Sequence, residues 1–394
     1  MPRPAPSSPY LASPRALLEL ARIAAAPLRY GHAVRIHRDG ARAFPAMLAG
    51  IRAARNSVSF ENFIVADDQT GREFATGLEQ ARRRGARVRV LYDPIGTLMV
   101  RGGSMARRLK DAAVEARAFR PLSPLAPWSW LRLRHRDHRK LLVCDDVIAF
   151  VGGICIADHW APSALGGAGW RDTAISVRGP AVADFQLAFE RMWRRAREEP
   201  ASTARQEPTP RETGEAAVVV VGDRPGLGRV GAIYRWLADH AEETIELTDA
   251  YFVAPREVLD ALIRAARRGV RVRLLVPGRN NHPVAGLAAR RIYQPLLDAG
   301  AEIHEWTGVM LHAKTAVVDG LVTLVGSSNL DPLSLRRNFE LNALVADPQT
   351  GTRMRDLFTS DLTQAARVLP DEWRRRPLHA KAAEAAARMF ADLL

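Results

Sequence analysis

The sequence predicts an α/β protein built from two similar mixed-sheet α/β domains related by a pseudo-two-fold axis, with one active site at their interface. Three observations carry this. A short pattern occurs twice, in HRKLLVCDDVIAFVGGIC (138–155) and HAKTAVVDGLVTLVGSSN (312–329). In each copy one residue separates His from Lys, four lead to Asp, and six more lead to a small pair, Gly152-Gly153 or Gly326-Ser327. A second stretch is also written twice, as ARRRGARVRVLYD (81–93) and ARRGVRVRLLVPG (266–278). The order of strands and helices around both stretches repeats as well. The period is far too long for a solenoid, so it marks a duplicated domain and an active site made of two halves.

The first half reads, in order, as a Pro-rich tail with a short helix at 14–25, a strand near 33–37, and a turn at Asp39-Gly40. A helix over 41–55 follows, with Phe44, Met47, Leu48 and Ile51 at helical spacing. Then come a strand at 57–65, a turn at 67–70, a helix stopped by Gly85, and a strand at 86–93. The second half repeats this with strand 215–221, helix 229–241, strand 244–253, a helix stopped by Gly269, and strand 270–278. The seam AREEPASTARQEPTPRETGE is rich in Pro, Thr and Glu and lacks apolar periodicity. The expected divisions are a tail at 1–30, domains at 31–198 and 215–370 joined by a linker at 199–214, and a basic C-terminal segment at 371–394. Its last helix is expected to dock on the core rather than lie on a membrane.

With 394 residues, 47% hydrophobic and 25% charged, the chain has ample material for a core. Its net charge of +14 implies an anionic partner, either nucleic acid or an acidic lipid surface. The two cysteines, Cys144 and Cys155, provide no disulfide framework and fit a reducing compartment. No uninterrupted apolar run reaches the roughly 18–20 residues that span a bilayer, and the N-terminus makes a poor signal peptide. The expected location is cytoplasmic, peripheral on the inner face of the cell membrane.

Side chains repeat every two residues along a strand, so His and Lys of each copy share a face. Asp319-Gly320 and Asp145-Asp146 read as two-residue hairpin turns. Such turns set His312 opposite Ser327 and His138 opposite Gly153. Asp145 and Asp319 belong to the pattern and are candidate acid–base residues. The same hairpins place them seven residues of strand away, roughly 23 Å at about 3.3 Å per residue, which favours a turn role. Two His and two Lys suit phosphodiester chemistry. One neutral imidazole attacks phosphorus and forms a phosphohistidine. The other donates a proton to the leaving oxygen, so their titrations are expected to be coupled. Lys140, Lys314 and the loop amides are expected to hold the phosphoryl oxygens. Each His needs a carboxylate on its other ring nitrogen, and Asp172 and Glu340 lie downstream of their motifs in matching places.

On these residues the chain resembles the phospholipase D superfamily, marked by a duplicated HxKxxxxD motif, and within it the bacterial cardiolipin synthases without N-terminal transmembrane helices. The supporting stretches are FENFIVADDQTG, RHRDHRKLLVCDD, LTDAYFVAP, GVMLHAKTAVVDG and GSSNLDPLSLRRNFELN. The resemblance implies the phospholipase D fold and phosphatidyl transfer through a phosphohistidine to a lipid headgroup alcohol or water. It also implies that His138, Lys140, His312 and Lys314 are catalytic, with His138 as nucleophile and His312 as acid. Gly153, Ser327 and Asn329 are the expected substrate-binding residues. Where the family commonly has a second Asn, the first copy has Cys155, a weak donor that would hold phosphate less firmly; a buried, purely apolar role is the competing reading.

No metal or cofactor is expected. His135 and His138 have a spacing seen in metal sites, but no carboxylate or thiol cluster completes it. Gly226, Gly228 and Gly231 match a dinucleotide fingerprint in form only, because Pro225 and the missing counterpart in the first half favour a plain loop. Trp128, Trp130, Leu131 and Leu133, set among arginines, suit either a lipid interface or single-stranded nucleic acid. Three readings follow: a phosphatidyltransferase acting on phospholipid at an anionic membrane, a phosphodiesterase acting on nucleic acid, and a lipid-binding protein without catalysis.

Overall fold

The computed structural model describes residues 10–99, 103–122, 135–197, 199 and 213–389. Trp128, Trp130, Leu131 and Leu133 lie outside the described residues, as does most of the expected linker. In the first half the strands are β1 (Leu28–Asp39), β2 (Ser57–Asn62), β3 (Arg87–Tyr92), β4 (Glu115–Ala118), β5 (Lys140–Cys144), β6 (Ile148–Gly152) and β7 (Arg171–Arg178). The second half has β8 (Ala216–Asp223), β9 (Thr244–Asp249), β10 (Arg271–Pro277), β11 (Glu302–Trp306), β12 (Lys314–Val318), β13 (Val322–Gly326), β14 (Glu340–Ala346) and β15 (Ala365–Arg367).

The hydrogen-bonded order is β1-β7-β6-β5-β2-β3-β4 in the first half and β8-β14-β13-β12-β9-β10-β11-β15 in the second. Apart from β15 the two orders are identical. In each, three parallel strands adjoin four antiparallel ones, so the sheets are mixed as expected.

β1 joins the halves. Leu28 and Arg29 pair with β8, and Ala33 to Asp39 pair with β7. Between them the strand turns at Gly31, whose φ of 84° suits glycine. The two sheets thus stack face to face, with Leu141, Val151 and Ile175 of one meeting Val325, Leu341 and Ala343 of the other in a shared core. Two separate clusters cover the outer faces under helices. Strand β1 begins five residues earlier than the sequence predicts, because its first residues belong to the partner sheet. The helix Pro14–Ala24 follows the same logic: Leu17 and Leu20 pack in the core of the second half.

Local signals set most boundaries. Asp39 and Asp68 accept from Arg42 N and Gly71 N and cap the helices Gly40–Ala53 and Gln69–Arg83. The C-terminal helix Leu378–Met389 docks on the helix Pro283–Arg290, with Ala387 in the core and Glu384 paired to Arg376 at 2.7 Å. Gly226 and Gly228 form a left-handed loop before the helix Arg229–His240, and Gly226 N donates to Arg336 O.

Candidate active site

Both motif histidines sit just ahead of a hairpin, β5–β6 or β12–β13, at the same end of the stacked sheets. Short cross-half pairings hold them there. Asp137 bridges Phe339, and Arg171 bridges Leu311. His138 N donates to Phe339 O at 3.0 Å, and His312 N donates to Arg171 O at 2.7 Å. Each histidine is therefore threaded beside the start of a strand from the other half, β14 or β7.

That threading decides which carboxylate each imidazole meets. His138 Nδ1 lies 3.0 and 3.1 Å from the two oxygens of Glu340. His312 Nδ1 lies 2.7 Å from Asp172 Oδ2. The carboxylates come from opposite halves, a crossing that position along the chain does not reveal. With Nδ1–H donating to a carboxylate, each Nε2 keeps its lone pair. Glu340 and Asp172 are fully buried.

Further residues hold the carboxylates. Trp160 Nε1 donates to Asp172 Oδ2 at 2.8 Å, and Thr173 N donates to Oδ1 at 2.7 Å. Gly153 is required by close approach, since a Cβ there would lie 2.2 Å from Asp172 Oδ1. Ser327 Oγ donates to Glu340 Oε2. The amides of Gly153 and Ser327 donate to Thr173 O and Leu341 O. This corrects the expectation that these two amides hold phosphoryl oxygens: both are spent on the sheet. Asn329 is buried, with Nδ2 donating to Ser334 Oγ.

Lys140 and Lys314 donate to the carbonyls of His138 and His312. Lys314 Nζ also lies 3.0 Å from both ring nitrogens of His312. The ladder sets Lys140 beside Asn62 but Lys314 beside Asp249, so the half-sites differ in charge. Asp249 holds the second one together by accepting from Tyr251 N and Leu330 N, both at 2.9 Å.

Burial and Lys314 push His312 down to about 3, against the pull of Asp172. Burial likewise lowers His138, opposed by Glu340. Both shifts favour the neutral imidazole, so it is the bound phosphodiester that must set the opposite protonation states the chemistry calls for. Burial also brings Lys314 down to about 8. Cys155 is buried in the first-half core, where burial raises its thiol despite nearby Lys140. Its place is that of a small apolar residue.

Asp145 and Asp319 are not at this site. Asp145 sits at the far hairpin turn and accepts from the amides of Arg55, Asn56 and Ser57. Asp319 accepts from Glu242, Glu243 and Thr244 in the same way. The turns begin as the sequence predicts, with left-handed residues at Asp145-Asp146 and Asp319-Gly320. The ladder resumes one residue late, at Cys144–Ile148 and Val318–Val322. That shift corrects the expected register by one residue, so neither His312 and Ser327 nor His138 and Gly153 face each other.

Sequence reasoning missed the supports behind His138. Arg136 forms a buried pair with Asp93 (Nε to Oδ2, 2.9 Å), which also accepts from Asp137 N. Arg139 lies 3.4 Å from buried Glu61. Charged residues at RHRDHRK and LYDP, inside strand patterns, were the available signal. His135 Nδ1 meets Arg337 O at 2.9 Å and serves as another cross-half tie.

Two duplicated sheets that place a His and a Lys each in a shared cleft define a phospholipase D-type protein. The family profile described as cardiolipin synthase, PLD-like domain, matches residues 235–362. The chain is 30% identical over 393 residues to a cardiolipin synthase of Halalkalibacterium halodurans, covering 95% of this chain and 74% of that protein. A cardiolipin synthase of a Geobacillus species is 30% identical over 391 residues, covering 96% and 76%. The chain belongs to the cardiolipin synthase family of the phospholipase D superfamily. In fold it resembles the phosphatidylserine synthase of Haemophilus influenzae, with a TM-score of 0.74 over 96% of this chain and 100% of that one, at 11% identity. Among the described residues no helix is long and apolar enough to cross a membrane.

Proposed function

We propose that the chain transfers a phosphatidyl group between phospholipids, converting two phosphatidylglycerols to cardiolipin and glycerol or running a closely related exchange. One observation carries the reading: two imidazoles from opposite halves, each anchored through Nδ1 by a buried carboxylate of the other half. His138 Nε2 attacks phosphorus, and the P–O bond to the leaving glycerol breaks. Glu340 stabilises the cationic phosphohistidine. Lys140 and Lys314 offset charge on the non-bridging oxygens, and the bound phosphodiester anion in turn favours protonation of His312. His312 gives its proton to the glycerol oxygen. It then takes a proton from the acceptor hydroxyl, which attacks phosphorus and releases His138. The order of the two histidines follows the family resemblance. The net charge also permits a second reading, a nucleic-acid phosphodiesterase using the same groups. The relatives favour lipid, and the proposal includes a peripheral position on the inner face of the cell membrane.

Purified protein with phosphatidylglycerol vesicles in chelator is expected to release glycerol and form cardiolipin. His138→Ala and His312→Ala are each expected to lower turnover by about 10³-fold or more. Turnover surviving both changes sinks the two-histidine mechanism. DNA cleavage without lipid turnover moves the assignment to nuclease.

A further inference from the structure

We infer that the rim of the active-site mouth is an interfacial docking surface for an anionic lipid bilayer, which sets the cleft directly onto the membrane. This rests on the phospholipid reading above and names the surface through which it operates. Five large apolar side chains, Leu98, Leu165, Leu227, Val284 and Val309, are 39% to 66% exposed. Each belongs to a different connection. Leu98 follows β3, Leu165 lies between β6 and β7, Leu227 follows β8, Val284 follows β10, and Val309 lies between β11 and β12. The strand directions put all five connections at the end of the sheets that carries His138 and His312. Among the described residues the other exposed large apolar side chains are Val147 in a hairpin turn at the opposite end, Leu18 and Tyr30 on the N-terminal helix and β1, and Leu369, Leu378 and Met389 on the chain after β15.

Isolated exposed apolar residues are ordinary, but their gathering on five separate connections around one cleft is not. Charge matches the same partner. Arg224 and Arg279, exposed on two of these connections, have no carboxylate within ion-pair distance among the described residues. Polarity also changes inward in a lipid's order. The rim carries exposed aliphatic side chains, Phe63, Trp170 and Tyr251 form half-buried aromatic walls, and the histidines and lysines form the floor. The acyl layer of the bilayer, and the glycerol backbone and phosphate of the bound lipid, meet those three zones in sequence. Nucleic acid would use the arginines and the aromatic rings but leave the aliphatic rim unmatched.

The test uses the full chain with Leu165→Ser/Val309→Ser and, as control, Val147→Ser. Partition onto phosphatidylglycerol-containing vesicles is read by flotation. Turnover is read on vesicles and on monomeric short-chain phosphatidylglycerol. The double variant is expected to lose about tenfold or more in partition and vesicle turnover, with short-chain turnover within about twofold of the parent. The control is expected to match the parent. Unchanged partition of the double variant, an equal loss in the control, or equal loss on both substrates overturns the proposal. So does single-stranded DNA binding that the same double variant loses while vesicle partition persists. A parent that floats but turns over no phospholipid defeats the functional reading alone, because flotation still tests the rim.

Discussion

Asp172 shows how much one residue organises. It accepts from His312, Trp160 and Thr173 N, and it fills space that only a glycine at position 153 leaves open. Burial raises its carboxyl, but His312, Lys314 and Trp160 together hold it below the ordinary value, so it stays charged. Asp172→Asn keeps the volume and removes the charge that stabilises a protonated His312. The expected result is a fall in kcat of about 10²–10⁴-fold, with the alkaline limb of the pH–rate profile, where His312 loses its proton, moved to lower pH and the melting temperature little changed. A proportional loss of activity and melting temperature would instead make Asp172 a packing residue. Its place downstream of the motif made it legible as a candidate. Its pairing with the other half's histidine was not, because adjacency across a duplicated interface leaves no trace along one chain. Trp160 was hidden for a different reason: a tryptophan in a loop looks alike whether it packs or donates.

At the scale of the element, the hairpins separate chemistry from scaffolding. Period-two alternation and the Asp-Gly turn were enough to assign His and Lys to one end and Asp to the other. The one-residue register shift was not legible, since it depends on how the third turn residue re-enters the ladder. Each motif aspartate ties its turn to the loop that starts β2 or β9, through three backbone amides. Asp319→Ala leaves those amides without their acceptor and is expected to cost roughly 1–3 kcal/mol of stability. The specific activity of the folded fraction should stay within about threefold of the parent. Equilibrium urea unfolding paired with activity per folded molecule checks this. A stable but inactive variant would return Asp319 to the catalytic set.

For the whole molecule, the duplicated sheet was readable because each half repeats the same strand and helix periodicities. The stacking of the two sheets through a bent β1 was not, because the register shift between Arg29 and His32 at the bend is set by pairing one strand with two different sheets. Stacking buries charge. Asp361 of the second half, for example, holds Arg171 at 2.6 Å and Arg38 at 3.0 Å from the first. Around the second half-site, burial raises Asp249 to about 7 and Asp331 to about 8. An unfolded Asp titrates near about 4. Between those values the unfolded chain has released protons that the folded chain retains. The stability these groups contribute is therefore complete below about pH 4 and is lost as pH rises through about 7 to 8. His312, depressed to about 3 from an ordinary value near about 6.5, works in the other direction: its contribution is present above about 6.5 and is lost as pH falls toward 3. Asp331 also caps the short helix Pro332–Arg336 by accepting from Ser334 N at 2.6 Å, a role asparagine can keep. Asp331→Asn is thus expected to leave the melting temperature near the parent's at pH 5 and raise it relative to the parent by a few °C at pH 9, about what 1–2 kcal/mol gives in a protein of this size. Calorimetric scans of both proteins from pH 5 to 9 decide it, and two parallel curves would remove Asp331 from the alkaline loss.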